Sequence, residues 1–148
     1  MSTTRSEART LATNAGLNFA GDRLKPEEIT GLLGVEPTIA YRKGEIYKRS
    51  RGYEIRGRTG LWRITTRRQL ASAELADHLA YLLEILFPGG NGKFIEPLRA
   101  LMREFDLESD VDCFWHGKHG AAPPVIPEDI RAAFAQIGAT IETDFDID

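Results

Sequence analysis

The chain has 148 residues, a formal charge of −3, 42% apolar and 28% charged side chains, an ordinary composition for one folded domain with a single core. No apolar run approaches the ~20 residues that span a bilayer. Residues 1–14 lack the apolar stretch of a secretory signal, and a single cysteine, Cys113, excludes an internal disulfide framework, so a cytoplasmic protein is expected.

Residues 1–10 read as a flexible tail and 11–148 as one domain. Residues 14–20 alternate, with Ala15, Leu17 and Phe19 on one side and Gly16, Asn18 and Ala20 on the other, the period of a half-buried strand. Gly21-Asp22 suits a turn. Pro26 then opens a short helix, where its missing N–H is harmless and Glu27 and Glu28 face the positive end of the helix dipole. Ile29, Leu32 and Leu33 form its apolar side; Gly34 stops it and Pro37 prevents resumption. Residues 38–47 are predicted as a second strand interrupted at Lys43-Gly44. Residues 53–66 form a third with bends at Gly57 and Gly60, and 48–52 a polar basic loop. Within 61–65 the alternation puts Trp62 and Ile64 on the buried side.

Leu75, Leu79, Leu82, Leu83 and Leu86 recur at helical spacing and predict a helix over about 72–87, ended by Pro88-Gly89-Gly90. A further helix covers about 93–105, where Pro97 either sits in the first turn or kinks it. Residues 111–115 read as a strand, 117–124 as a loop, 127–137 as the last helix and 140–147 as the last strand. The order β-α-β-β-α-α-β-α-β defines an α+β protein, with a mixed sheet of about five strands and helices packed on it. Pro26-Glu27-Glu28-Ile29 is echoed by Pro127-Glu128-Asp129-Ile130, each between two strands. The echo suggests a pseudo-duplicated, ferredoxin-like plait; equally, proline followed by acids opens helices for local reasons alone.

The balanced charge hides segregation. Residues 41–68 carry ten basic side chains against Glu45 and Glu54, net +8, whereas 69–148 carry five basic against fifteen acidic, net −10. Either the basic segment folds onto the acidic one, or part of it is an exposed surface for an anionic partner. Tyr41, Tyr47, Tyr53 and Trp62 interleave the cations, a pairing used on nucleic acids, but a pI of about 5.7 disfavours that partner.

Catalytic and metal constellations are weak. Cys113, His116 and His119 have metal-type side chains, yet on a strand Cys113 points to one face and Asp112 and His116 to the other. No serine stands in a nucleophile-elbow setting, and nothing brings Cys113 to His116 or His78 as a catalytic pair. Gly57-Arg58-Thr59-Gly60 is too short for a phosphate loop. Asp22 follows a strand end and suits a turn or helix cap.

Several runs together resemble a known family. Leu17-Asn18-Phe19-Ala20-Gly21-Asp22, Leu24-Lys25-Pro26-Glu27-Glu28-Ile29-Thr30 and Leu32-Leu33-Gly34-Val35-Glu36-Pro37 look like the opening of the bacterial domain of unknown function family numbered 4279. Lys43-Gly44-Glu45, Thr59-Gly60-Leu61-Trp62, the leucine-rich helix with His78, and Pro127-Glu128 with Gly138-Ala139 fit the same pattern. The resemblance implies a small α+β fold, and it brings no activity and no catalytic residues with it.

The expected function is a non-catalytic interaction module without cofactor or metal. Its basic hairpin would present Arg49, Arg51, Arg56 and Arg58 as anion contacts flanked by Tyr47 and Tyr53. The partner would be an acidic protein, as for an immunity-type protein that covers a toxin, or a second copy of this chain; membrane and nucleic acid are not expected. The competing expectation is an enzyme or ligand-binding domain whose pocket gathers Asp22, Trp62 and His116.

Overall fold

The computed structural model describes residues 10–48 and 54–148. The alternating run at the start forms β1 (Thr10–Gly21), longer than the periodic segment alone predicts. Pairing on both sides extends it. β5 (Gly60–Thr65) runs antiparallel along residues 16–21, and β6 (Glu108–Gly117) runs antiparallel along 10–20. Between them come α1 (Pro26–Leu33) and β2 (Ile39–Tyr41), the latter antiparallel to β5. Pro26 stands in the first turn of α1. Gly34 ends the helix at φ 72°, a left-handed conformation natural to glycine, with its N–H 2.8 Å from the Thr30 carbonyl.

The predicted second and third strands each divide in two. Outside the main sheet, β3 (Ile46–Lys48) and β4 (Glu54–Arg56) pair only with each other, as a two-stranded ribbon. The break falls where Gly44 takes φ 85° and exchanges backbone hydrogen bonds across the hairpin, Gly44 N–H to the Gly57 carbonyl at 2.8 Å and Gly57 N–H to the Glu45 carbonyl at 3.0 Å. The Tyr41 ring lies where a side chain on Gly57 would project, so only glycine fits there.

Two helices follow β5, α2 (Leu75–Leu86) and α3 (Ile95–Phe105), joined through a short 3-10 turn at Pro88–Gly90. Pro97 is the third residue of α3, where no intrahelical donor is lost, so no kink is needed. After β6, α4 (Glu128–Ala135) leads to β7 (Thr140–Ile147), which lies parallel to β6. The main sheet has order β2-β5-β1-β6-β7, a mixed α+β arrangement. β1-α1-β2 is a split unit with β5 inserted between its strands, as in a ferredoxin-like plait. β6-α4-β7 instead joins adjacent strands, so the two echoing segments open the same kind of crossover in two different settings.

Period-two alternation sends Ala15, Leu17 and Phe19 from β1, Trp62 and Ile64 from β5, and Val111 and Cys113 from β6 into one core with side chains of all four helices. Phe19 and Trp62 are register partners whose rings meet edge to face, 5.8 Å between centroids, a geometry that adds about 0.5–1.5 kcal/mol beyond burial. The Trp62 indole N–H donates to Thr30 Oγ1 at 3.0 Å, which ties α1 to the sheet. No helix among the described residues is long and apolar enough to cross a membrane.

Candidate functional site

The helices occupy one face of the sheet, and the alternate residues of each strand make the other. Its central rows follow from the register: Arg63, Asn18 and Asp110 in one, Thr65, Gly16, Asp112 and Glu142 in the next. This polar face is internally organised. Arg63 donates to Asn18 Oδ1 at 2.8 Å and pairs with Asp112; Asn18 Nδ2 donates to Asp110 Oδ1 at 2.6 Å and to Asp112 Oδ2 at 3.2 Å. The guanidinium crosses β1 because Gly16 has no side chain; a Cβ there would lie 2.5 Å from Arg63 Nη1.

Over this face lies an open groove of about 950 Å³. One end is bounded by Arg67 and Arg68, in the turn after β5, and by Tyr47 from the ribbon; the other by Glu142 and Asp144 of β7. Asn14 and Phe114 lie between. Three strand spacings, about 14 Å, separate β5 from β7.

The cations of the hairpin divide into two groups. At its root, Arg42 pairs with Glu27 and Glu45, and Lys43 donates to Asp22 at 3.0 Å. Arg56 caps the bend instead, donating to the Gly44 carbonyl at 2.9 Å. Arg58, Arg67 and Arg68 are exposed and have no acidic partner among the described residues. Of the expected binding residues, Tyr47 stands in the groove wall with its ring 5.8 Å from that of Tyr41. Arg56 and Arg58 lie on and just after β4, while Arg49, Arg51 and Tyr53 lie outside the described residues.

The alternative pocket is not assembled. Asp22 follows the end of β1 that pairs with β5 at Gly60, whereas His116 is the register partner of Ala12, some nine strand residues or roughly 30 Å away. Trp62 has no exposed surface and faces the helices. Asp22 is an exposed partner of Lys43, whose ammonium, with help from Thr59, holds the carboxyl below its ordinary 3.8. It does not cap α1, which has no side-chain cap. His116 Nε2 lies 3.2 Å from Asp148 Oδ1. Cys113 is turned to the core; burial, with a lesser push from Asp112, raises its thiol to about 11 and keeps it protonated at neutral pH. His119 is in the exposed loop after β6. Among the described residues no three His, Cys, Asp or Glu side chains gather closely enough to hold an ion.

Sequence reasoning did not single out Arg67, Arg68 or the Arg63–Asn18–Asp112 network. The available signal was strand phase: Asn18, Arg63 and Asp112 all fall on the side opposite the apolar residues.

The molecule is thus a mixed-sheet α+β domain with helices on one face, a charged groove on the other and a basic ribbon beside it. The chain belongs to the family described as Domain of unknown function (DUF4279), whose model matches residues 11–148. No curated protein and no solved structure matches it.

Proposed function

We infer that this domain is a non-catalytic binding module that takes an acidic protein partner on its basic hairpin. The observation that carries this reading is the division among the hairpin's cations. Arg42, Lys43 and Arg63 are engaged by the molecule's own acids, and only Asp112 of those acids comes from the last forty residues. Arg58, Arg67 and Arg68 retain no such partner among the described residues, and the ribbon that neighbours them is not part of the main sheet. Arg49, Arg51, Arg56 and Arg58 supply anion contacts, with Tyr47 and Tyr53 as flanking anchors. An immunity-type role, neutralising a toxin by covering it, is one form of this activity. The alternative, an enzyme or ligand-binding domain with a pocket near Asp22, Trp62 and His116, is less well supported, because those three residues lie far apart or buried.

Reversing Arg49, Arg51, Arg56 and Arg58 to Glu together tests the assignment. The variant keeps its circular dichroism spectrum and loses at least about tenfold affinity for poly-L-glutamate and for the partner identified from cell extract, which corresponds to about 1.4 kcal/mol. Unchanged binding of both overturns the reading.

A further inference from the structure

The groove on the open sheet face is bipolar, and the geometry points to its occupant: an extended peptide segment of a partner protein, with an acidic and a basic side chain four positions apart and an aromatic one between them. This goes beyond the ribbon reading, which asks only for acidic charge. One pole is Arg67 and Arg68, the other Glu142 and Asp144; none of the four is in an ion pair among the described residues. Arg63 and Asp112 neutralise each other in the floor, so neither pole is discharged through the middle. Phe114, half-buried between the two poles, gives an aromatic side chain something to lie against.

The dimensions select a peptide. Enclosed small-molecule pockets cover most of their ligand, whereas this groove is open along the sheet and carries its charged side chains at its two ends. In an extended peptide, positions 1, 3 and 5 point to the same side, and positions 1 and 5 are about 14 Å apart, the separation of β5 from β7. An acid at one end meets Arg67 and Arg68, a base at the other meets Glu142 and Asp144, and the central ring faces Phe114.

The test uses three synthetic peptides, acetylated and amidated: Glu-Ala-Trp-Ala-Lys, Glu-Ala-Trp-Ala-Glu and Lys-Ala-Trp-Ala-Lys. Titration is followed by amide chemical shifts and calorimetry. The mixed-charge peptide binds at least about tenfold more tightly than either uniform one, with shifts concentrated at Asn14, Phe114 and Asp144. Phe114→Ala weakens it, and the double change R67E/R68E reverses the preference toward the all-lysine peptide. Equal or tighter binding of the all-glutamate peptide overturns the groove assignment while leaving the ribbon reading intact. So does binding of none of the three, or a dimer in sedimentation whose interface shifts these same amides. Loss of mixed-peptide binding in the ribbon charge-reversal variant, with the groove unaltered, likewise shows the peptide sits on the ribbon.

Discussion

His78 has no solvent exposure, yet both of its ring nitrogens are matched. Nε2 donates to the Ser72 carbonyl at 2.7 Å, and Nδ1 shares a 2.6 Å hydrogen bond with the Thr66 hydroxyl; that hydroxyl oxygen in turn accepts the Ala15 N–H at 3.0 Å. One imidazole thereby locks the end of β5, the segment before α2 and the middle of β1 together. Thr66→Val, close in shape, orphans two buried groups, each costing about 1–3 kcal/mol. A loss of about 2–6 kcal/mol is expected in urea unfolding, with Thr66→Ser recovering most of it; a loss below about 0.5 kcal/mol refutes the network's structural role. The leucine spacing placed His78 on a helix, but Thr66 lies twelve positions earlier, outside any local repeat. That pairing exists only because the chain between them turns back. Individual partners of this kind have no signature in spacing or composition.

The ribbon carries the main lesson at the level of elements. Gly44, Gly57 and Gly60 are visible in the sequence as weak points of two long strands, and the breaks fall around them. What they separate was not visible: the outer part pairs on its own, and no described residue between Arg42 and Arg56 belongs to the buried core. Replacing residues 46–56 by Asn-Gly, a sequence suited to a tight hairpin turn, is therefore expected to leave the unfolding free energy within about 1 kcal/mol, as expected for changes away from buried groups. The same change removes Tyr47, Arg49, Arg51, Tyr53 and Arg56 and is expected to abolish binding of the proposed acidic partner. A collapse of the urea transition shows instead that the ribbon supports the sheet. Elements with strong periodicity were read nearly to their ends, as with β7 and α2. β6 grew by several residues because β1 lies beside it throughout.

At the scale of the molecule, a net charge of −3 coexists with a segment of net +8. Screening reaches about 8 Å at physiological ionic strength, so a partner near the hairpin experiences that local field more than the total. An acidic partner is expected to associate faster as salt is lowered, although both proteins are net negative, because steering follows the nearest charges. Stopped-flow rates that rise with added salt contradict this. The α+β class, the buried faces of β1 and β5, the Pro26 start and Gly34 stop of α1 and the charge segregation were determined by the sequence alone, since each depends on residues within one or two turns of one another. Tertiary structure alone decided which cations Glu27, Asp22 and Asp112 engage, which face of the sheet is left without helices, and that Arg67 and Arg68 stand across a groove from Glu142 and Asp144. Those pairings join residues from 15 to more than 70 positions apart, and distances of that kind are set by strand order and register, which local physics does not encode.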